Sequence, residues 1–516
     1  MGLGSLIKDK LSKPGGSLSG SGSPTPAAPA STPGQKPSSR QIFQNRFNHG
    51  PNLGGMFVLE RWISGDDLFE GTDKTSELEA VKATVKKHGL DGARAKFENH
   101  WTSWLDEGND WNWLQSKGVT AVRVPIGYWT VDNGKFTRHT PFEEYQAVYQ
   151  NAWNIFKSHV IKPAAARNIA VLIDLHALPG GANEQDHSGT SSGKAEFWSH
   201  SSSVDLATDI LKFIASDMKS YDNICGIQII NEAPYANNPK HQQNYYFKAL
   251  SAIRGANPDI PVVISDGWNT QQFISIIKDH EDKLSGDASS LGLIIDTHVY
   301  KCFSDEDKRK PPGQLIQDVD SAIPQTGDVD ILVGEYSCVM DEGTWKQLPQ
   351  GQNRDQIVSD YGRRQVSHFY QRAKAGQYFW TYKFHWGSGG EWGFREMSDK
   401  GALPDYSQIP SKSPDVYQNA FNDRLKSSLD EHVNYWKGQD ANKDWQNWRY
   451  EDGFTIGWHD AQAFDEFNHS EIGRWVAWKK SRLSQHVQQK GSSDLLWVFS
   501  HGFDKGVEQF IATRNS

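Results

Sequence analysis

Residues 170–176 read Ala-Val-Leu-Ile-Asp-Leu-His, and residues 224–232 read Ile-Cys-Gly-Ile-Gln-Ile-Ile-Asn-Glu. Both are nearly continuous apolar runs that turn polar only towards their ends. Such runs suit strands buried on both faces, as in a parallel sheet covered by helices. Working outward, comparable runs recur at 54–59, 119–124, 261–265, 293–297, 330–334 and 377–381, with helical spacing between them. That makes eight strands. Eight repeats of strand and helix predict an α/β protein, a (β/α)8 TIM barrel, across residues 41–400. A doubly wound parallel sheet is the competing arrangement of the same alternation.

The flanks read differently. From Ser12 to Arg40 the chain is mostly Gly, Ser, Pro, Ala and Thr, which buries too little surface to offset its entropy. Residues 1–40 are therefore expected to be a disordered N-terminal tail. Within it, Leu3, Leu6, Ile7 and Leu11 follow helical spacing beside Lys8, Lys10 and Lys13. This segment is either a weak membrane contact or a frayed, solvated end. It lacks the apolar stretch of a secretory signal. Beyond residue 400 the alternation stops, and 401–516 reads as a polar, Trp-rich helical extension. Two of its segments echo each other: Gly453-Phe454-Thr455-Ile456-Gly457 and Gly502-Phe503-Asp504-Lys505-Gly506. One duplicated Gly-Phe-x-x-Gly unit is too little for a solenoid.

The chain has 516 residues, with 54 Lys+Arg against 63 Asp+Glu and a net charge of −9. A mildly acidic protein is a poor nucleic-acid partner, since displacing phosphate counterions takes clustered Lys and Arg. Mean hydropathy is −0.67, and no apolar run approaches the ~18 residues of a spanning helix. A cytoplasmic location is expected from these features. Cys225, Cys302 and Cys338 lie in strand-like segments and are expected to be inert core thiols. Neither they nor the histidines have metal-ligand spacing, so no metal and no cofactor is expected. The 20 Trp and 17 Tyr suit stacking on sugar C–H faces as well as they suit a large aromatic core.

In a barrel of this kind the reactive groups lie at the C-terminal ends of the strands. There the sequence places Arg123, His176, Asn231-Glu232, His298-Val299-Tyr300, Glu335 and Trp380. Any one of them is an ordinary rim residue. Their coincidence under one fold rule points to a site. Glutamates on two separate strands suit glycoside hydrolysis, in which one carboxyl is held protonated and the other ionised. Arg123 would keep one carboxylate charged, and Trp380 would give a sugar ring an apolar floor.

These residues resemble glycoside hydrolase family 5, in particular fungal exo-β-1,3-glucanases of the glucan 1,3-β-glucosidase type, in a non-secreted subgroup. The resemblance rests on residues 51–60 (PNLGGMFVLE), VRVPIGYW, IDLHALPGGAN, IINEAP, DTHVY, VGEYS and FWTYK, in that order. It implies retaining hydrolysis releasing glucose from the non-reducing end of β-1,3-glucans. Glu232 resembles the acid/base, Glu335 the nucleophile, and Asn231 the residue that binds the 2-hydroxyl. Arg123 and Tyr300 resemble the groups that steady the nucleophile; His176, His298 and Trp380 resemble the walls around the reacting sugar. Glu60 resembles the carboxylate that grips the terminal glucose, or else is a surface acid paired with Arg61. Phe303 resembles one jaw of an aromatic clamp at the pocket mouth. The sequence also departs from the pattern, with Met56 for Trp, Arg61 for Pro, Ala177-Leu178 for Gly-Ala and Lys383-Phe384-His385 for Lys-Thr-Glu. The alternatives are a β-glucosidase acting on a glucosylated lipid or sterol, and an inactive carbohydrate-binding barrel.

Overall fold

The structure, a computed structural model, describes residues 35–284, 290–410 and 412–516. The proposed membrane-contacting segment and most of the expected tail lie outside these residues. Eight parallel strands form one sheet: β1 (Asn48–Pro51), β2 (Ala121–Gly127), β3 (Ala170–Ala177), β4 (Ile224–Gln228), β5 (Val262–Ser265), β6 (Leu293–Val299), β7 (Asp330–Tyr336) and β8 (Gly376–Phe379). They pair in the order β1-β8-β7-β6-β5-β4-β3-β2. The seam between β1 and β2 closes through the Asn52–Arg123 bridge and through Leu53 N–H donating to Arg123 O at 2.8 Å. Gly50 permits that approach: a Cβ there would sit 2.0 Å from the Ala121 carbonyl.

One strand is misplaced by the sequence reading. Residues 54–59 are apolar and fully buried, yet they form a turn beyond β1 rather than the strand. The strand itself is the polar run Asn48-His49-Gly50-Pro51. Its side chains are buried in the barrel's lower end, where their polar groups find partners: the Asn48 amide donates to Phe43 O at 2.9 Å. Hydrophobicity marked the core but not the ladder.

Outer helices include α2 (Glu77–Ser103), α3 (Ser201–Asp217), α4 (Lys240–Ala256), α5 (Thr270–Glu281) and α6 (Arg354–Arg372). Each buries a stripe on the sheet; in α5 it is Phe273, Ile274 and Ile277, after Asn269 caps the first turn by accepting from Gln272 N at 3.1 Å. That is ordinary amphipathic packing with an N-cap. Among the described residues no helix is long and apolar enough to cross a membrane.

The lower mouth is plugged. α1 (Ser39–Asn45) is capped by Ser38 and inserts Phe43 among Ala121, Ala170, Leu172, Cys225, Val263, Ile294, Leu332 and Tyr378. Lys36 pairs with Glu466, and Arg40 with Asp222 at 3.0 Å. Lys36, Ser38 and Arg40, inside the stretch expected to be a tail, thus already make contacts with the folded part of the chain. All three cysteines are buried and free, and burial pushes the Cys225 and Cys302 thiols up to about 12.

The C-terminal region forms four helices: α7 (Pro414–Gln439), α8 (Asn447–Asp465), α9 (Trp475–Lys490) and α10 (Leu496–Asn515). It docks on the lower end of the barrel. Asp330, the first residue of β7, accepts from Val476 N and Ala477 N at 2.9 and 3.0 Å. The buried Arg474 donates to Gly292 O at 2.9 Å.

The duplicated glycine unit has a geometric cause. α8 and α10 run in register, and each glycine of one faces a backbone carbonyl of the other. A Cβ at Gly453, Gly457, Gly502 or Gly506 would lie 2.1–2.3 Å from the oxygen of Phe499, Phe503, Tyr450 or Phe454, respectively. Small residues spaced by four let two helix backbones touch, gaining dispersion and weak Cα–H···O contacts. Gly502→Val is expected to lower stability by at least about 2 kcal/mol, since overpacking here meets backbone that cannot yield. Gly438→Ala in α7, with open space around it, should raise stability by about 0.5–1 kcal/mol. Chemical denaturation of the two variants checks both; equal midpoints would remove the close-contact explanation.

Candidate active site

The upper ends of the strands open into a cleft of about 1090 Å³. Nine of the ten residues singled out in the sequence line it: Glu60, His176, Asn231, Glu232, His298, Tyr300, Phe303, Glu335 and Trp380. Arg123 lies beneath, wholly buried in the middle of β2. Strand irregularities at Thr297/His298, Val333/Tyr336 and Ile126/Gly127 fall at this end, where bulges re-aim side chains. Glu232 itself has φ +44, a left-handed backbone that a glutamate adopts only where its surroundings impose it.

Arg123 is the hub. Its Nη1 donates to Glu335 Oε1 at 3.1 Å and to Asn52 Oδ1 at 2.8 Å. Nη2 donates to Asn231 Oδ1 at 2.8 Å and pairs with Asp174 Oδ2 at 3.0 Å. Nε donates to Gln228 Oε1 at 3.0 Å. Burial works against the guanidinium charge, but Asp174, Glu335 and Asp296 outweigh it and hold the group more firmly protonated than usual. Glu335 Oε2 accepts from the Tyr300 hydroxyl at 2.9 Å. Burial and the Glu335 charge push that phenol well up, so it remains a donor.

Glu232 has a different setting. Oε1 lies 2.9 Å from His298 Nδ1 and Oε2 lies 3.3 Å from His187 Nε2. Burial opposes its charge, yet hydrogen bonds from the two imidazoles and their positive charge hold its carboxyl well below the usual range. Burial likewise opposes charge on the histidines. Glu335 and Asp296 nonetheless raise His298 well above its ordinary value, and bonding to Glu232 raises His187 to about 9. An oxygen of Glu232, one of Glu335 and a ring nitrogen of His298 all lie within 4.8 Å of one another. Among the described residues this trio is the one grouped closely enough to face a cation. Its oxygens already face Arg123, Tyr300 and two imidazoles, an arrangement that places protons.

The walls follow the same pattern. His176 Nδ1 meets Asp174 Oδ2 at 2.7 Å and its ring lies parallel to Trp380, with centroids 6.1 Å apart. Glu60 does not pair with Arg61, which binds Asp66 at 2.7 Å instead. Glu60 accepts from Trp62 Nε1 at 3.0 Å, and burial raises its carboxyl. The segment that presents it is pinned by buried Glu77, which accepts from Leu59 N at 2.8 Å, Trp129 Nε1 at 2.7 Å and the Tyr149 hydroxyl at 3.0 Å. Phe303 is 63% exposed at the mouth, edge-on to Tyr300 and tilted against Trp392.

Sequence reasoning missed His187, Trp62, Tyr235, Trp268 and Trp392, which also line the cleft. Trp268 follows the end of β5, the strand from which no residue was chosen, so the strand-end rule could have found it. His187 and Trp392 sit in long loops whose course no local pattern reveals. Raising the pH from about 6.5 to about 9 should lower the melting temperature. His187 is held protonated above its unfolded value, so its stabilisation is complete below the first pH and lost as the second is passed. Thermal melts of the wild type and His187→Gln across that window check this; identical slopes would contradict it.

Residues 82–385 match the cellulase family, glycosyl hydrolase family 5, and residues 417–513 match the glucan 1,3-beta-glucosidase 3 C-terminal domain. An uncharacterized glycosyl hydrolase of Saccharomyces cerevisiae is 37% identical over 485 residues, spanning 91% of this chain and 92% of the relative. Glucan 1,3-beta-glucosidase 3 of Schizosaccharomyces pombe is 32% identical over 467 residues, spanning 90% and 95%. The solved structure of rutinosidase from Aspergillus niger superimposes with a TM-score of 0.54 at 18% identity, covering 70% of this chain and 98% of that one. That likeness shows the common fold.

Proposed function

Because the chain belongs to glycosyl hydrolase family 5, we propose that it is a retaining enzyme releasing glucose from the non-reducing end of β-1,3-glucans, with Glu335 as nucleophile and Glu232 as acid/base. The observation that carries the mechanism is the short gap between the carboxylates, whose nearest ligand oxygens lie within 4.8 Å. Retaining pairs sit about 5–5.5 Å apart, whereas inverting pairs stand about 6.5–9.5 Å apart to admit a water.

The two environments divide the roles. Glu335, held between the fixed cation of Arg123 and the Tyr300 hydroxyl, is aimed for attack on the anomeric carbon. Glu232 has imidazoles on both oxygens and can exchange a proton with them, as an acid/base requires. Asn231, clamped by Arg123, offers its amide to the 2-hydroxyl, and Trp380 lies under the ring. The β-1,3-glucan substrate is supported by the name of the fission-yeast relative. Release of single glucose units is supported by Glu60, a carboxylate lining the cleft that can accept hydrogen bonds from the hydroxyls of a terminal glucose. Residues 41–400 then form the catalytic domain. The helical extension from 401 packs at the opposite end, against the strand starts.

A second reading is favoured by the exposed aromatics of the mouth. Trp62, Tyr235, Trp268 and Phe303 are 43–63% exposed, and such a rim also accepts an apolar aglycone, as in a glucosylated lipid or sterol. Hydrolysis of a laminari-oligosaccharide and a sterol glucoside side by side, followed by NMR, separates the readings. The expected result is β-glucose appearing first from the oligosaccharide, with little laminaribiose. First appearance of α-glucose would exclude retention, early laminaribiose and laminaritriose would exclude exo action, and turnover confined to the sterol glucoside would favour the second substrate. Glu335→Gln should keep the fold and lose at least about 10³-fold in kcat; near-normal turnover would remove the nucleophile assignment.

A further inference from the structure

We propose that His187 holds the proton that Glu232 delivers to the leaving group, so that the acid of the reaction is a His187–Glu232 pair rather than the glutamate alone. The proposal rests on the glycosidase reading above and deepens it. His187 acts through Glu232 and is a positioning residue.

The hydrogen bonds around His187 fix where protons can be. His176 Nδ1 is 2.7 Å from Asp174 Oδ2, a carboxylate that also pairs with Arg123, so this nitrogen carries the hydrogen. His176 Nε2 is then an acceptor, and the Asn231 amide donates to it at 3.3 Å. His187 Nδ1 approaches the same nitrogen at 3.2 Å, so it too must donate. With Nδ1 protonated, only His187 Nε2 remains variable, and it faces Glu232 Oε2 at 3.3 Å. A hydrogen bond exists there in two forms, imidazolium with carboxylate or imidazole with carboxylic acid, and each contains one shared proton. The pair stores that proton in the first form and delivers it in the second.

His187 is held for this task. It lies in the Asp186–Ser188 turn, which Gly189 closes at φ +94 beneath Trp129. Gly189 O accepts from Leu78 N at 3.2 Å, and Asp186 is spent on the Thr75 hydroxyl. The carboxyl groups acting on the ring are Glu232 after β4, Glu60 after β1 and Glu335 on β7, and His176 on β3 presents Nε2 to it as an acceptor. Glu184 of its own loop lines the same cleft. Anions surrounding an imidazole favour the protonated ring, and His187 is correspondingly raised to about 9.

The step balances. The proton passes from His187 Nε2 to Glu232 Oε2, leaving a neutral ring and a carboxylic acid. Glu335 attacks C1, the bond from C1 to the leaving oxygen breaks, and that oxygen keeps the electron pair and takes the proton from Glu232. In the second half, Glu232 as carboxylate takes a proton from water while the water oxygen displaces Glu335 from C1. That proton returns the pair to its starting state.

The test compares kcat/KM for laminaribiose, whose leaving sugar needs a proton, with that for 2,4-dinitrophenyl β-glucoside, whose leaving group does not. His187→Gln and His187→Asn keep a polar amide but carry no exchangeable charge. Each should lose about 10²-fold or more on laminaribiose and less than about 10-fold on the aryl glucoside. The alkaline limb of the laminaribiose profile should move to lower pH by at least about one unit, because Glu232 must then keep the proton unaided. The aryl glucoside also reports that the variants are folded. Equal losses on both substrates, or an unmoved alkaline limb, would overturn the proposal. Failure of the wild type on every glucoside would instead overturn the underlying glycosidase reading.

Discussion

One buried cation organises the upper half of this barrel. The Arg123 guanidinium has no exposed surface, and its partners come from the end of β1, from β3, β4, β6 and β7. A charge taken this far out of water costs several kcal/mol unless its geometry is satisfied on every side. The fold meets that requirement with three carboxylates and three amide oxygens. The same contacts fix Glu335 against one edge, Asn231 against another, and Asp174 behind His176. Structural necessity and the proposed catalytic placement are here one set of hydrogen bonds.

From this centre two kinds of carboxylate environment emerge. Glu335 is bonded to the permanent charge of Arg123 and to the Tyr300 hydroxyl, with His298 Nδ1 farther off at 3.5 Å. Glu232 faces two imidazoles, each of which can move a proton. Asp296 completes the second environment by meeting His298 Nε2 at 3.1 Å while accepting from Gln228 and from Gly334 N. The chemical asymmetry that the proposed double displacement requires thus follows from what each glutamate touches. At the opposite end, buried Arg46 and Arg474, α1 and the helical extension seal the barrel with contacts to strand starts, leaving the upper face free for substrate.

Much of this was legible in the sequence because the fold rule is geometrical. Strand ends converge on one cleft, so Glu232, Glu335, His298, Tyr300 and Trp380 could be gathered without knowing any distance. What was not legible has physical reasons. β1 is polar because its neighbours satisfy its amides, so hydrophobicity pointed to the buried turn that follows it. Arg123 was readable as a cation beside one carboxylate, but nothing local shows that six partners surround it. Glu60 could not be separated from a surface acid until Arg61 was seen to bind Asp66. His187 belongs to a loop whose path is set by Trp129 and Leu78, far away in sequence. The echo between Gly453–Gly457 and Gly502–Gly506 was visible, but its meaning needed the two helices side by side.

The central claim is that Glu335 forms a covalent bond to the sugar. Incubation with 2-deoxy-2-fluoroglucosyl fluoride slows the second displacement more than the first and lets that species accumulate. Intact mass followed by peptide mapping should show one fluoroglucosyl group on the peptide containing Glu335. An unlabelled enzyme that still turns over glucosides, or a label on Glu232 or another residue, would contradict the account.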